Sequence, residues 1–344
     1  MTIKHLKYAV LPLLASLLLS SCVYEDLQEC PNEYNLRIVF DRNMLYADAF
    51  ASRVKSVDIQ VFDHATGAQV YRHTESGEKL ASGTYKATLP IPPGTYDILC
   101  WAGLSEGNAF SYAEPQAKEL DRQGMVLATT DGQSNKRLNE LYHGMLTEAT
   151  FTDNNDIGSF EPQTHTLYLT KNTNRVNVML INLDGKALNP ADFECTITSH
   201  NAEMAYDNRL VTDRTVVYKP WSVAPIEIES TEETKSTIST PAEGAVTEAG
   251  LAAEFSLSRL TPNSNSRLDV VRRTDGSRII SVPLEANLLL YRGAFHAEMS
   301  EAEYLDREDD YSITFIIDAH HNWDHTALIY IQRWATLPVQ YQDF

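Results

Sequence analysis

Apolar and polar residues alternate along many short stretches of the chain. In one stretch Val57, Ile59 and Val61 share one side, while Asp58 and Gln60 share the other. A period of two is typical of a half-buried β-strand. Similar extended stretches recur along the whole chain, at residues 35–40, 54–63, 68–71, 96–101, 166–170, 175–183, 193–199, 201–206, 253–260, 267–273, 278–284, 311–318 and 326–334.

Turn residues separate these stretches, and helical periodicity is rare. Residues 64–67 and 92–94 contain the Gly and Pro residues of tight turns. Two segments predict helices, a short one at 113–123 and a longer one at 287–308 that is broken at Gly293. Strand and turn therefore dominate, which predicts an all-β fold of β-sandwich type with a few short helices.

The order of the predicted strands in the first half of the chain recurs in the second half. This repetition predicts two similar β-sandwich domains, an N-terminal one at 35–161 and a C-terminal one at 162–344. Residues 230–248 are rich in Ser, Thr and Glu, which predicts a loop that buries little. Ahead of the sandwiches we expect a signal peptide at 1–21 and a lipidated tether at 22–34.

The start of the chain carries a secretory signal that ends at a cysteine. Lys4 and Lys7 precede an apolar run at 8–19, which is shorter than the roughly 20 residues of a membrane span. Residues 19–22 read Leu-Ser-Ser-Cys, which resembles the lipobox of bacterial lipoproteins. That resemblance implies cleavage before Cys22 and lipid attachment to its thiol, which would hold the protein durably on a membrane. An ordinary signal peptide with a chance cysteine is the alternative.

Composition narrows the classes of function. The 344 residues include 28 Lys and Arg against 47 Asp and Glu, a net charge of −19. No basic block offers a face for phosphates, so we expect no nucleic-acid partner. Besides Cys22 the chain has Cys30, Cys100 and Cys195, which allow one internal disulfide at most. Cys100 lies in a strand-like run, where we expect it to act as a small buried hydrophobe.

Two polar clusters contain the residue types of metal sites. The first could bind zinc and consists of His320, His321, His325, Asp318 and Asp324. It falls where a hairpin must turn, and we favour a structural turn. The second, Asp-Asn-Asn-Asp at 153–156, could offer oxygen ligands to calcium but lacks the Gly and the distal Glu of an EF-hand. We therefore expect no metal and no cofactor.

Signals of catalysis are weak. The acidic run at 301–310 could supply the paired carboxylates of a glycosidase, if two of them faced each other across a cleft. Consecutive charges at a helix end more often form a solvated face. The sequence contains no nucleophile elbow, no His-Glu-x-x-His and no phosphate loop. We therefore expect no enzyme and no small-molecule substrate.

Several short motifs, each weak alone, follow one another in a specific order. After Cys22 they read Val-Asp-Ile-Gln-Val-Phe-Asp at 57–63, Pro-Gly-Thr-Tyr at 93–96, Leu-Tyr-His-Gly at 141–144, Leu-Tyr-Leu-Thr-Lys-Asn at 167–172 and Tyr-Leu-Asp-Arg-Glu-Asp-Asp-Tyr at 304–311. In this order they resemble the fimbrillin-type anchor lipoproteins of type V pili, over nearly the whole chain after the signal peptide.

The resemblance implies two transthyretin-like β-sandwich domains, a lipid anchor in the outer membrane and a surface-exposed place in a pilus. It also implies that subunits join by strand donation. Shaft subunits of such pili lose their N-terminus by proteolysis, whereas a chain lipidated at Cys22 could not release it. We therefore expect an outer-membrane pilus subunit, the anchor, that contributes to assembly and adhesion.

The end of the chain is a candidate assembly strand. Leu337, Val339 and Tyr341 alternate with polar residues and Pro338, which gives an extended segment one apolar face. Such a segment can complete a neighbouring sheet through main-chain hydrogen bonds. Residues 335–344 are either donated to another pilus subunit or fold back as the chain's own edge strand, where Pro338 is tolerated. The sequence leaves both possibilities open.

Two other functions compete with the pilus subunit. One is a stand-alone surface lipoprotein that binds glycan or host protein. Finding the chain alone in membranes, never in sheared pili, would favour it. The other is a surface glycosidase, which requires two carboxylates on opposite sides of a cleft.

Overall fold

The computed structural model describes residues 32–154, 161–182, 188–229, 247–324, 329–332 and 334–336. Over these residues the chain is mainly β, with 22 strands in five sheets and three short helices. The predicted all-β sandwich class is confirmed. The signal peptide, most of the tether and most of the predicted loop at 230–248 lie outside the described residues.

The first sandwich pairs a three-stranded sheet with a five-stranded sheet. The three-stranded sheet has the order β10-β1-β4, formed by β1 (Tyr34–Val39), β4 (Lys86–Thr88) and β10 (Gln163–Tyr168). The five-stranded sheet has the order β11-β9-β5-β2-β3, formed by β2 (Ser56–Asp63), β3 (Gln69–Ser76), β5 (Gly94–Ala102), β9 (Tyr142–Phe151) and β11 (Thr170–Lys171). Apolar residues of both sheets form one buried core, among them Leu36, Ile38, Ile59, Ile98 and Cys100.

β2 differs from its prediction as a half-buried strand, because both of its faces are buried. A small third sheet lies against its polar side. This sheet has the order β14-β7-β6, formed by β6 (Phe110–Tyr112), β7 (Met125–Leu127) and β14 (Glu203–Met204). Tyr112 of β6 hydrogen-bonds the side chains of both Asp58 and Gln60. A period of two marks the apolar face of a strand and does not show that a further layer covers the polar one.

The second sandwich pairs a six-stranded sheet with another five-stranded sheet. The first has the order β16-β17-β12-β20-β21-β22, formed by β12 (Thr173–Asn182), β16 (Ser222–Glu229), β17 (Thr247–Ser258), β20 (Asp310–Ile317), β21 (Ile329–Ile331) and β22 (Trp334–Thr336). The second has the order β19-β18-β13-β15-β8, formed by β8 (Gln133–Ser134), β13 (Phe193–Ser199), β15 (Val216–Tyr218), β18 (Arg267–Arg272) and β19 (Ser277–Pro283). Val178, Ile197, Leu268 and Phe315 are buried in their shared core.

The described helices are α1 (Phe50–Arg53), α2 (Leu284–Phe295) and α3 (Glu301–Arg307). The predicted helix at 113–123 is wrong: only a single 3₁₀ turn forms there, because neighbouring backbone groups instead bond the turn after β2, as in Leu120 N to Gly67 O. The helix predicted at 287–308 does form as two helices, α2 and α3. The predicted break at Gly293 is wrong, because Gly293 lies inside α2. The break follows at 296–300, where Ser300 caps α3 by accepting a hydrogen bond from the amide of Glu303.

Four of the five sheets combine strands from both sides of residue 162. β10 and β11 join the first sandwich, β8 joins the second, and β14 pairs with β7. The division into folding domains at 35–161 and 162–344 stays a prediction. Cys100 and Cys195 are both buried and free, so neither forms a disulfide.

Candidate functional site

The predicted site residues lie at the two ends of the chain, outside the described residues. Cys22 belongs to the N-terminal segment, and Leu337, Val339 and Tyr341 belong to the tail. The structure does describe the two elements that those segments join. These are β1, which starts twelve residues after Cys22, and β22, which ends directly before Leu337.

β1 is the central strand of its sheet. It pairs in parallel with β10 on one side and antiparallel with β4 on the other. Tyr34, Leu36 and Ile38 are almost fully buried, and the Tyr34 hydroxyl donates a hydrogen bond to the carbonyl of Thr152 at 2.8 Å. The first strand after the tether is therefore built into the sandwich on both edges.

β22 is the outermost strand of the six-stranded sheet. It pairs antiparallel with β21, with Ile331 opposite Trp334 and Ile329 opposite Thr336. Ala335 and Thr336, the first residues of the predicted assembly strand, thus belong to an edge strand of the chain's own sheet. Residues 337–344 lie outside the described part of the chain.

A charged cluster joins the two sandwiches. Lys171 of β11 lies 3.0 Å from Glu140 and also pairs with Asp309, while Arg53 contacts Glu140 at 2.7 Å and Asp309 at 3.5 Å. Burial would raise the pKa of Glu140, but Lys171 and a hydrogen bond from Tyr142 outweigh it and lower that pKa below its usual value. The cluster is therefore an ion-pair network between elements distant in sequence.

Uncharged hydrogen bonds lie beside this cluster. His143 Nε2 donates to the carbonyl of Tyr206 at 2.7 Å, and the imidazole meets Trp101 edge-on. Burial lowers the pKa of His143 to about 4, so the ring is neutral at pH 7. The side chains of Asn172 and Asn208 hydrogen-bond each other at 2.6 Å. These contacts hold β9 and the residue after β11 against the loop that follows β14.

Sequence reasoning missed both clusters. Lys171, His143 and Asn172 are polar residues within strand motifs, for which exposure to solvent is the ordinary expectation. The available signal was Leu141-Tyr142, two adjacent apolar residues directly before His143, which leave no obvious solvent face. Such a stretch indicates a strand buried on both sides, and buried polar side chains then need partners.

An open cleft lies where the two sandwiches meet. It has a volume of about 270 Å³, and its lining includes Arg42, His143, Tyr168, Asp207, Arg259 and Asp306. Arg259 and Asp306 are paired with each other at 2.7 Å. The lining therefore presents mixed charge rather than one strongly charged surface.

Four carboxylates of the acidic run are paired with basic residues, three of them on other elements. The pairs are Glu303 with Arg307, Asp306 with Arg259, Asp309 with Lys171 and Asp310 with Arg175. The run was predicted as a solvated face. Asp310 is 50% and Glu303 43% exposed, and the pairs also tie α3 and β20 to neighbouring elements. Glu308 of the same run is in none of these pairs, and burial raises its pKa above the usual value.

The His-rich segment after β20 forms a turn. Asp318 accepts hydrogen bonds from the amides of His320 at 2.9 Å and Asn322 at 2.8 Å, and Arg272 donates to the carbonyl of His320. His325 lies outside the described residues, as do Asn155 and Asp156 of the candidate calcium loop. Within the described ranges, no three His, Cys, Asp or Glu side chains are grouped as metal ligands. The same ranges contain no helix long and apolar enough to span a membrane.

Comparison with known proteins identifies the family. The family model for fimbrillin-A associated anchor proteins Mfa1 and Mfa2 matches residues 27–336. A candidate adhesin of Bacteroides thetaiotaomicron is 29% identical, with a TM-score of 0.77 and coverage of 91% of this chain and 100% of that one. No curated protein sequence matches the chain.

Two further structures are similar in fold. A candidate polysaccharide-binding protein of Bacteroides thetaiotaomicron is 22% identical, with a TM-score of 0.72 over 91% of this chain and 99% of that one. The fimbrial anchor protein Mfa2 of Porphyromonas gingivalis is 15% identical, with a TM-score of 0.65 over 90% and 100%.

The family match covers most of the chain and agrees with the sequence-based resemblance. It assigns a structural role at the cell surface, as a pilus subunit that associates with other fimbrial subunits and functions in adhesion. The chain belongs to the family of fimbrillin-A associated anchor proteins.

Proposed function

We propose that this chain is the anchor of its pilus. Lipid on Cys22 holds it in the outer membrane, and the residues after β22 join it to another pilus subunit. The family match over 27–336 carries this proposal. The Leu-Ser-Ser-Cys sequence at 19–22 supports the lipid, because its small residues and cysteine follow directly on the apolar run.

The position of β1 suits an anchor. A pull on the pilus would be transmitted to the membrane through the segment that leads into β1. Because β1 is hydrogen-bonded to β10 and β4, the load would be shared by two ladders. An edge strand bonded on one side would have only one ladder to resist that load.

The lipid is tested by Cys22→Ala, with Cys30→Ala as the matched control in the same segment. Cys22→Ala should abolish labelling by a palmitate analogue and remove most of the protein from the outer-membrane fraction, while Cys30→Ala should change neither. A Cys22→Ala protein that is still labelled and still sediments with the outer membrane would show that the lipid is not on this residue.

The joint is tested by deleting residues 337–344, which spares β22. The deletion should leave a folded, membrane-bound protein that no longer carries pili. Leu337→Ser with Val339→Ser and Tyr341→Ser should act in the same way, while Gln340→Ser with Gln342→Ser on the other side of the strand should not. If the deleted protein unfolds, the tail is part of its own fold. If it folds and still carries pili, the joint lies elsewhere.

A further inference from the structure

The loop between β1 and α1 is compact and closed on itself. We call residues 41–48 the tip loop. Its two ends meet where the amide of Ala49 donates to the carbonyl of Phe40 at 2.9 Å, and Asp48 accepts a hydrogen bond from the amide of Phe40 at 3.1 Å. Loops whose ends are joined in this way are frequently functional.

Internal contacts fix the conformation of the tip loop. The Asn43 amide donates to the carbonyls of Phe40 at 3.0 Å and Ala47 at 2.8 Å, and its side-chain oxygen accepts from the amide of Leu45 at 3.0 Å. Met44 packs inward against the core of the second sandwich. Tyr46 has a φ of 52°, a conformation that a tyrosine adopts rarely and only under such constraint.

This fixed loop exposes two large apolar side chains. Leu45 is 86% exposed and Tyr46 57% exposed, and they are the two most exposed large hydrophobic residues in the described part of the chain. Arg307 of α3 contacts the loop at two points. Its guanidinium lies 4.3 Å from the centre of the Tyr46 ring, and it donates a hydrogen bond to the carbonyl of Asp41 at 3.1 Å. A leucine and a tyrosine held rigidly on a protruding loop have the character of binding anchors, since little entropy is lost when they dock.

The position of the tip loop favours a protein partner over the membrane. The tether enters β1 at Tyr34, and the tip loop leaves β1 after Val39. Six residues of strand span about 20 Å, so the tip loop lies about that far from the end of β1 that the tether enters.

The charge beside the tip loop favours an acidic partner. Arg42 is the second residue of the loop, is exposed and lines the cleft where the two sandwiches meet. Its guanidinium donates a hydrogen bond to the Thr170 hydroxyl at 3.2 Å, and no carboxylate pairs with it within the described ranges. The tip loop also contains Asp41 and Asp48, and Asp48 lies 3.8 Å from Arg37, so Arg42 is the basic residue of the loop that has no carboxylate partner in the described ranges.

We propose that the tip loop docks into an apolar pocket of an adjoining pilus subunit, with Leu45 and Tyr46 filling the pocket and Arg42 pairing with a carboxylate at its rim. This inference rests on the proposed anchor function and adds a second contact, separate from the tail after β22. Such a contact would set the angle at which the pilus leaves the anchor, whereas a joined strand alone would leave a flexible connection.

The test measures binding of the full, lipidated protein in detergent to pili sheared from cells that lack this chain. Leu45→Ser with Tyr46→Asn removes both anchors, and Asn tolerates the positive φ at position 46. We expect at least tenfold weaker binding. The matched control is Val70→Ser with Val223→Ser, two exposed valines on β3 and β16, which should bind within twofold of the wild type. Arg42→Glu should weaken binding and Arg42→Lys should largely keep it.

The outcomes separate this inference from the proposed function. If the wild-type protein does not bind the pili, the anchor function fails. If the wild type binds and the tip-loop variant binds equally well, only the docking inference is overturned. Unfolding curves show whether the double variant folds; if it does not, Leu45→Ser and Arg42→Glu alone decide the matter.

A second arm tests the membrane as the partner. The Cys22→Ser protein is mixed with vesicles of phosphatidylethanolamine and phosphatidylglycerol. Vesicle binding that requires Leu45 and Tyr46 would assign the tip loop to a lipid surface and overturn the inference. No binding to vesicles, together with weakened binding to pili, supports it.

Discussion

Two buried carboxyl groups, one in each sandwich, show how differently the chain accommodates polar side chains in its interior. Asp58 of β2 is paired at both oxygens: Oδ1 accepts from Arg72 Nε at 2.9 Å, and Oδ2 accepts from Arg72 and from the Tyr112 hydroxyl at 2.8 Å. Gln60 donates to the same hydroxyl at 2.9 Å and accepts from Gln69. Each polar group in this layer therefore has a partner.

Glu285 of α2 is just as buried but only partly paired. Oε2 accepts from the amide of Ser266 at 2.9 Å, whereas Oε1 has no hydrogen bond within the described part of the chain. Within the described ranges no basic side chain forms an ion pair with it as Arg72 does with Asp58, and burial raises the pKa of Glu285 to about 7. The two sites are equally deep and differ in their partners, and a buried carboxylate without a basic partner or a full set of hydrogen bonds is costly.

We expect the largest loss of stability from a substitution of Asp58, the fully paired carboxylate. Asp58→Ala leaves Arg72 and Tyr112 without their acceptor in a layer between two sheets. We expect a loss of about 3 kcal/mol in the free energy of unfolding, below the upper range for buried pairs because Arg72 is partly exposed. Urea unfolding at pH 7 measures it.

A double-mutant cycle then separates the ion pair from the other contacts of Asp58. Arg72→Ala alone should cost less than Asp58→Ala, because water can reach the place of the guanidinium. The double variant should be destabilised by clearly less than the sum of the two single variants. Additive losses would mean that the two side chains do not act as a pair.

The partly paired Glu285 predicts that the free energy of unfolding depends on pH. The folded-state pKa of Glu285, about 7, lies above the value of an ordinary glutamate. Its contribution to stability is therefore complete below the unfolded pKa and is lost as the pH rises through about 7. Between pH 5 and pH 8 this group should cost the wild type about 2 kcal/mol.

Glu285→Gln should remove that loss, because an amide does not ionise. The variant should be similar to the wild type at pH 5 and more stable at pH 8, as measured by unfolding at both pH values. Glu301→Gln, an exposed glutamate in α3, is the control and should leave the pH profile of the wild type unchanged. A Glu285→Gln protein that loses stability as steeply as the wild type would show that another group titrates.

The sequence predicts the strands well because each strand is encoded locally. The alternation of Val57, Ile59 and Val61 identifies the inner face of β2 without knowledge of its neighbours. The hairpin of β20 and β21 follows from two extended segments around a turn. The Leu-Ser-Ser-Cys sequence at 19–22 is local in the same sense, and the lipid attachment at Cys22 that it predicts stays a prediction.

The features that the sequence does not predict depend on contacts between distant residues. The third layer over Asp58 comes from β6 and β7, some 50 or more residues away along the chain. The segment at 113–123 has helix-forming residues, but its backbone groups bond the turn after β2 instead. The sequence did not predict a binding role for Leu45 and Tyr46 either, since exposed apolar residues are ordinary on protein surfaces. We infer that role from the contacts that fix the conformation of the tip loop.

We expect the smallest effect on stability from a solvent-exposed pair of an arginine and an aspartate, the same residue types as Arg72 and Asp58. Arg175 of β12 and Asp310 of β20 stand opposite each other in the parallel ladder, with side chains 53% and 50% exposed. Exposed pairs of this kind contribute about 0–1 kcal/mol, because water solvates each partner when the other is removed. A cycle of Arg175→Ala and Asp310→Ala should give a coupling energy in this range that falls further in 1 M salt, where the screening length is about 3 Å. A coupling as large as that of Asp58 with Arg72 would mean that burial between layers adds nothing to the paired carboxylate, and the contrast between the two sites would have to be explained by geometry alone.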